Sequence, residues 1–259
     1  MPNDRSARTQ RYSLLIPAYN AAVTLPQVLQ RISDQVWQQV TTVWIVDDGS
    51  SDGTAEQIRA FAARQSKIKG IYLPRNQGYG NACKQALQRI REQQVDCAAC
   101  VHADGQYAPE ELPHLLSTLA ERELDLLQGS RLAQATALSG GMPLYKYLAG
   151  HALTAIGNLA LGLQMTDYHS GYLVYGRRAL DGIPFDRLSD SFDFDLEVIA
   201  AGRALGLALG ETPIATHYGD EVSHLRVIPY GLRVLRVHLR YAGGYYRRLT
   251  VGPAGGAKA

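Results

Sequence analysis

The sequence predicts an α/β protein, a mostly parallel sheet flanked by helices. In the first half of the chain, short apolar runs alternate with apolar residues at helical spacing, joined by short loops. That alternation implies parallel strands with right-handed crossovers. Polar clusters follow the strand runs, at the carboxyl ends where open parallel sheets bind ligands. With 259 residues, 46% apolar and 19% charged, the chain can bury one sizeable core, and disorder, collagen and repeat arrays are excluded.

Residues 12–16 form an apolar run that stops at Pro17, which cannot donate to a strand ladder. Leu25, Val28, Leu29, Ile32 and Val36 recur at helical spacing, with Thr24 as the expected N-cap and Pro26 in the first turn. A second strand is expected over 40–46, then a turn-rich loop, Asp47-Asp48-Gly49-Ser50-Ser51-Asp52-Gly53-Thr54, opening a helix to Arg64. A third strand follows over 68–73, a helix through Cys83, Leu87 and Ile90, a fourth strand over 95–101, a helix through Leu112–Leu119 spacing, and a strand at 124–127. The second half is less regular. A helix is expected over 144–163, strand character at 172–175, a helix to about residue 205 after an acidic, aromatic stretch, and a further strand at 207–211. Residues 11–222 read as one domain, and 223–259 as a basic helix with a flexible Gly/Ala tail.

Four strand-end clusters, at 17–20, 47–52, 75–78 and 102–106, are expected to meet on one rim. Asp48 sits just past a strand end, where glycine and serine let backbone N–H groups approach a nucleotide. The plainer alternative is that Asp52 or Ser51 merely caps the helix. His102 and Asp104 are two apart, so an extended strand end turns both to one side, where they can share a divalent ion with Gln106. A satisfied loop turn is the alternative. Arg131 follows a strand end and is placed to clamp phosphate.

Taken together, Ile16-Pro17-Ala18-Tyr19-Asn20, Val46-Asp47-Asp48-Gly49-Ser50, Arg75-Asn76-Gln77-Gly78, Ala103-Asp104-Gly105-Gln106 and Gly129-Ser130-Arg131 resemble glycosyltransferase family 2 in order and spacing. Thr166-Asp167-Tyr168-His169-Ser170-Gly171 and Phe194-Asp195-Leu196-Glu197 resemble its dolichyl-phosphate mannose synthase-like branch. The resemblance implies a GT-A fold, a UDP- or GDP-sugar donor, Mn2+ or Mg2+, and inversion at the anomeric carbon. It implies that Pro17, Tyr19 and Asp48 line the base and ribose pocket, with Asn20, Val46, Arg75, Gly78, His102 and Ala103 completing the donor site. Asp104 matches the second aspartate of the DxD motif, and Gln106 the polar residue that completes the metal shell. Two positions depart from the pattern: His102 replaces the first DxD aspartate, and Ala21 an acidic residue.

A metal on Asp104, with Arg131, would stabilise charge on the leaving diphosphate. A sugar-hydroxyl acceptor needs a base, for which Asp167 is the first candidate and Asp195 and Asp193 follow. A polyprenyl phosphate is already ionised and needs none. Asp167 as a turn cap, and the acidic stretch as a solvated helix start, are the alternatives.

Residues 1–221 carry 19 Lys/Arg against 24 Asp/Glu, while seven basic residues and no acid follow Glu221. At about 100° per residue, Arg226, Arg233, Arg236 and Arg240 share an arc of about 80°, which suits an anionic membrane surface, an ordinary packed helix being the alternative. The stretch 217–224, where the resemblance puts acceptor-phosphate contacts, lacks the usual basic residues unless His217 and His224 substitute for them. Three cysteines exclude a disulfide framework, and Cys97 and Cys100 should face opposite sides of a strand. No signal peptide or recognition motif for nucleic acid is read, so a cytoplasmic enzyme, peripheral on the inner membrane face, is expected. Its rivals are transfer to a soluble saccharide or protein-linked glycan, and a degenerate nucleotide-sugar-binding subunit.

Overall fold

The computed structural model describes residues 10–133, 144–215 and 227–250. Seven strands form one sheet: β1 Tyr12–Ala18, β2 Val40–Asp47, β3 Ile68–Tyr72, β4 Cys97–Cys100, β5 Leu126–Ser130, β6 Leu173–Gly176 and β7 Leu209–Pro213, in the order β3-β2-β1-β4-β6-β5-β7. The pairs β1–β2, β2–β3, β1–β4 and β5–β7 are parallel, and β6 runs antiparallel between β4 and β5. The expected mostly parallel α/β fold is present. The antiparallel β6 is a difference, since strand character alone carries no direction.

The helices are α1 Thr24–Arg31, α2 Asp34–Gln39, α3 Thr54–Arg64, α4 Tyr79–Glu92, α5 Leu112–Glu121, α6 Leu144–Leu161, α7 Arg177–Gly182, α8 Phe194–Ala204, α9 Val227–Ala242 and α10 Tyr245–Thr250. The single helix expected through Val36 is two. Ile32 turns extended, and Ser33 accepts from the Val36 N–H at 3.4 Å to start α2. Thr24 is the first helical residue of α1 rather than its cap. The short α7 lacked a long enough period to be read.

Strands buried on both faces read as nearly continuous apolar runs. Leu15, Val46, Ala98 and Cys100 face a core layer with α4 and α8, while Leu14, Ile16, Ile45, Cys97 and Ala99 face the opposite layer. Cys97 and Cys100 thus point to opposite sides, as the strand period requires. Val234 and Val237 of α9 and Tyr246 of α10 are buried in the first layer. The expected boundary at 222/223, the histidines at 217 and 224, Arg226 and the 251–259 tail lie outside the described residues. Among those described, no helix is long and apolar enough to cross a membrane.

Candidate functional site

The C-terminal ends of β1 and β2 are stitched to the loop after β3. Asp48 N–H donates to the Ala18 carbonyl at 2.8 Å, and the Asp48 carboxylate accepts from Gln77 N–H (2.7 Å) and Gly78 N–H (2.9 Å). Burial raises the Asp48 pKa against the lowering effect of these two bonds. Both oxygens therefore brace the 75–78 loop, a role the sequence did not reveal. Asn20, in a left-handed conformation (φ 49°), accepts from Ser51 N–H at 3.0 Å and donates its own N–H to Ser50 Oγ at 2.9 Å. Gly49 has φ 69°, and a Cβ there would lie 2.3 Å from the Arg75 backbone, so only glycine allows these loops to touch. Asp52 does act at the start of α3, accepting from Thr54 N–H at 3.0 Å. Tyr19 and Arg75 stand exposed at this rim, and Pro17 and Val46 occupy its floor.

The end of β4 is tied to the second half of the chain. His102 Nε2 lies 3.2 Å from the Gly171 carbonyl oxygen and 3.2 Å from the Tyr79 hydroxyl, and Gly171 N–H donates to the Tyr107 hydroxyl at 3.1 Å. A Cβ on Gly171 would fall 2.5 Å from the His102 ring, so this approach also needs glycine. A carbonyl oxygen only accepts, which makes His102 Nε2 the protonated nitrogen. Nε2 is thereby removed from any metal shell, contrary to the simplest form of the expected His102–Asp104–Gln106 set. Asp104 is part-exposed, and one oxygen accepts from Gln106 N–H at 3.0 Å across the tight turn at Gly105 (φ 76°). No group of three His, Cys, Asp or Glu side chains among the described residues can hold a metal alone. A carboxylate with the carboxamide residue Gln106 two positions on is a hard-oxygen set. It fits a divalent ion that takes its remaining ligands from water and diphosphate.

Beyond β5, Arg131 Nε donates to Asp167 Oδ2 at 2.8 Å and Nη2 to Oδ1 at 3.3 Å, a two-pronged pair. Asp167 is fully buried and also accepts from His169 N–H at 2.7 Å. Burial pushes its pKa up, but the Arg131 charge and these bonds outweigh that and hold it below the usual carboxylate range. Both oxygens are occupied and the group resists protonation. Asp167, the first candidate for a base, is the carboxylate paired with Arg131 here. Ser130 and Thr166 hydroxyls, 2.6 Å apart, join the same two segments.

His169 Nδ1 meets the Tyr230 hydroxyl at 2.8 Å, and burial pushes its pKa down to about 4. The folded state therefore binds this proton less tightly than the unfolded chain, whose histidine titrates near about 6.5. The stabilisation is full above that value and is lost as pH falls from about 6.5 toward about 4, at up to about 1.4 kcal/mol per pH unit. Urea denaturation at several pH values should show this slope, and His169→Gln should reduce it by about one proton. An unchanged slope in the variant refutes the assignment.

The other two candidate carboxylates differ. Asp193 accepts from Ser189 Oγ at 2.8 Å, stands 3.5 Å from Arg233, and lines a cavity of about 430 Å3 between α8 and α9. Asp195 is buried, Oδ1 has no hydrogen-bond partner, and burial pushes its pKa up to about 7. The basic arc of α9 is also partly turned inward, with Arg240 3.0 Å from Glu197 and stacked over Tyr245. Sequence reasoning missed Tyr79, Tyr107 and Phe192. Phe192 stacks on Tyr79 at 5.9 Å, and their only sequence signal was aromatic character beside the motifs.

Among known proteins, the low-salt glycan biosynthesis hexosyltransferase Agl6 of Haloferax volcanii is 32% identical over 235 residues, covering 90% of this chain and 54% of that protein. The chain thus spans about half the length of that relative. The undecaprenyl-phosphate mannosyltransferase of Micrococcus luteus is 30% identical over 205 residues, covering 79% of this chain and 82% of the relative. In three dimensions the chain is similar to glucosyl-3-phosphoglycerate synthase from Mycobacterium tuberculosis, solved with Mn2+, uridine diphosphate and glucosyl-3-phosphoglycerate. The TM-score is 0.64 at 19% identity, covering 90% of this chain and 80% of that one. That likeness shares the fold. The model of glycosyl transferase family 2 matches residues 13–183, the stretch that holds the stitched strand ends, Asp104 and the Arg131–Asp167 pair, and the chain belongs to that family.

Proposed function

We propose that this family 2 glycosyltransferase moves a hexose, with inversion, from a UDP- or GDP-sugar to the phosphate of a polyprenyl phosphate at a membrane surface. The observation that carries the acceptor class is the Arg131–Asp167 pair. A wholly buried carboxylate fixes a cation beside the strand-end site, while the carboxylate expected to serve as base is committed. An acceptor that arrives ionised needs the cation and not the base. Similarity to the M. luteus undecaprenyl-phosphate enzyme supports the same class.

In this reading Asp48 holds the 75–78 loop against the donor's base and ribose, and Asp104, with Gln106, would hold Mn2+ or Mg2+. When bound, that ion supplies a Lewis acid for the leaving diphosphate. His102, braced by Gly171 and Tyr79, fixes the turn that carries Asp104. Arg131 offers a preorganised charge that needs no rearrangement as the phosphates change partners.

A second reading has one observation in its favour. Asp195, with an unpartnered oxygen and a pKa of about 7, has the protonation behaviour of a base for a sugar hydroxyl. A panel of nucleotide sugars, tested with Mn2+ against farnesyl phosphate and against soluble saccharides, separates the two. Transfer to farnesyl phosphate that survives Asp195→Asn is expected. Transfer only to saccharides, abolished by Asp195→Asn, establishes the second reading. Binding of UDP or GDP without turnover on any acceptor makes the chain a nucleotide-sugar-binding subunit and overturns both.

A further inference from the structure

Three aromatic side chains among the described residues are exposed: Tyr19, Tyr72 and Phe192. Tyr19 and Tyr72 each carry a hydroxyl for water, and Arg59 lies over the Tyr72 ring at 4.7 Å. Phe192 has no polar handle, yet it is 45% exposed in a stretch of serines and aspartates. An apolar ring held in water forgoes the gain of burial. Its position is fixed by the chain around it, because the 188–194 segment is braced on both sides. Lys84 Nζ donates to the Leu188 carbonyl at 2.5 Å and to Asp190 Oδ1 at 2.7 Å. Ser189 N–H donates to Glu197 Oε2 at 2.6 Å, and Ser189 Oγ to Asp193 Oδ1 at 2.8 Å. A Cβ on Gly78 or Gly80 would strike the carbonyl of Asp190 or Ser189 respectively, so the segment lies directly on the start of α4.

That contact puts the ring beside the strand-end site. Phe192 stacks on Tyr79, with 5.9 Å between centroids and 15° between planes. Tyr79 directly follows Gln77 and Gly78, whose N–H groups are held by Asp48. The Tyr79 hydroxyl lies 3.2 Å from His102 Nε2, and His102 stands two residues before Asp104. The His102 ring in turn meets Tyr107 edge-on at 4.7 Å. Phe192 is thus the solvent end of an aromatic run through Tyr79 and His102 to Tyr107. The run links the loop read as holding base and ribose to the turn read as holding the metal. A ring on so rigid a mount is preorganised, and a ligand need not order it.

We propose that Phe192 is a stacking platform for the hexose of the donor and thereby helps to set which sugar is transferred. The assignment rests on the donor reading above and deepens it. A hexopyranose shows a face of C–H bonds whose slightly positive hydrogens suit the negative face of an aromatic ring, while its hydroxyls stay at the rim for hydrogen bonds. Covering those C–H bonds with phenylalanine removes apolar surface from water on both partners. Epimers differ in how their hydroxyls interrupt that face, so one fixed ring favours some hexoses over others. The nucleobase is not the expected occupant. It is read at the ends of β1 and β2, whereas Phe192 reaches the site through Tyr79 and the residue just beyond β4.

The test compares Phe192→Ala and Phe192→Tyr with wild type in the full chain. Calorimetry with Mn2+ sets UDP against UDP-hexoses and GDP against GDP-hexoses, and kinetics are run at saturating farnesyl phosphate. Phe192→Ala is expected to lower affinity and kcat/KM for the preferred nucleotide hexose by about tenfold, and to narrow discrimination among hexoses. Affinity for the bare nucleotide and the melting temperature should stay unchanged, and Phe192→Tyr should restore wild-type values. Equal losses for the bare and the hexose-bearing nucleotide overturn the proposal, because the ring then serves the nucleotide or the fold. So do unchanged donor constants with a raised KM for farnesyl phosphate, which put the prenyl chain on the ring. Wild type that binds a nucleotide hexose without transferring it removes the reading above, yet a loss confined to the hexose form upholds the platform. Transfer to farnesyl phosphate with donor constants insensitive to Phe192→Ala does the reverse.

Discussion

Replacing Asp104 by alanine is expected to lower sugar transfer by about a thousandfold or more, equivalent to about 4 kcal/mol of transition-state stabilisation, while the protein stays folded. The two halves of that outcome have separate physical sources. Asp104 makes one local bond, to Gln106 N–H across a half-buried turn, and losing such a bond costs about 1 kcal/mol. Its chemical role has no substitute nearby, because His102 has given Nε2 to the Gly171 carbonyl. Titration calorimetry of Mn2+ with UDP should therefore rank the variants unequally. Asp104→Ala should weaken binding by more than tenfold, and His102→Ala by about threefold at most. Near-wild-type turnover in Asp104→Ala refutes the metal assignment. Equal losses in the two variants show that His102 ligates through Nδ1.

The parts of this protein that local sequence dictates were legible. Short apolar runs and period-3.6 apolar patterns gave the five strands before α6 and their order along the chain, and Gly49 and Gly105 sit where turns were read. The joining of the 17–20, 47–52 and 75–78 clusters followed from strand polarity alone. What escaped was pairing across the chain. Asp167 and Arg131 are separated by 36 positions, and nothing in either segment says that one carboxylate will be consumed by the other. The direction of β6 depends on the path through α6. The partners of the α9 arginines escaped for the same reason. The periodicity of α9 shows an arginine arc and an apolar arc, but not that Arg240 meets the buried Glu197 of α8 or that Arg233 meets Asp193 just before that helix.

Asp167→Asn should damage stability and activity together, and the combination distinguishes an anchor from a base. Asn preserves shape but removes the charge that compensates Arg131, whose side chain is only 17% exposed. Removing one partner of a buried pair costs about 3–5 kcal/mol, so a melting temperature lower by about 10 °C is expected for a chain of this size. The pH dependence has a definite sign. The folded pKa of Asp167 is depressed, so its stabilisation is complete above the unfolded value of about 3.9 and is lost only as pH falls through the lower folded value. Wild type should thus keep this contribution at mild acidity, in a window below that of His169. For activity, Arg131→Ala and Asp167→Asn should each lower kcat by about a hundredfold. The double variant should fall no further than the worse single variant, because the second change removes nothing that still functions. A base would behave otherwise: Asp167→Asn would keep its melting temperature, erase the acidic limb of the pH–rate profile, and combine additively with Arg131→Ala.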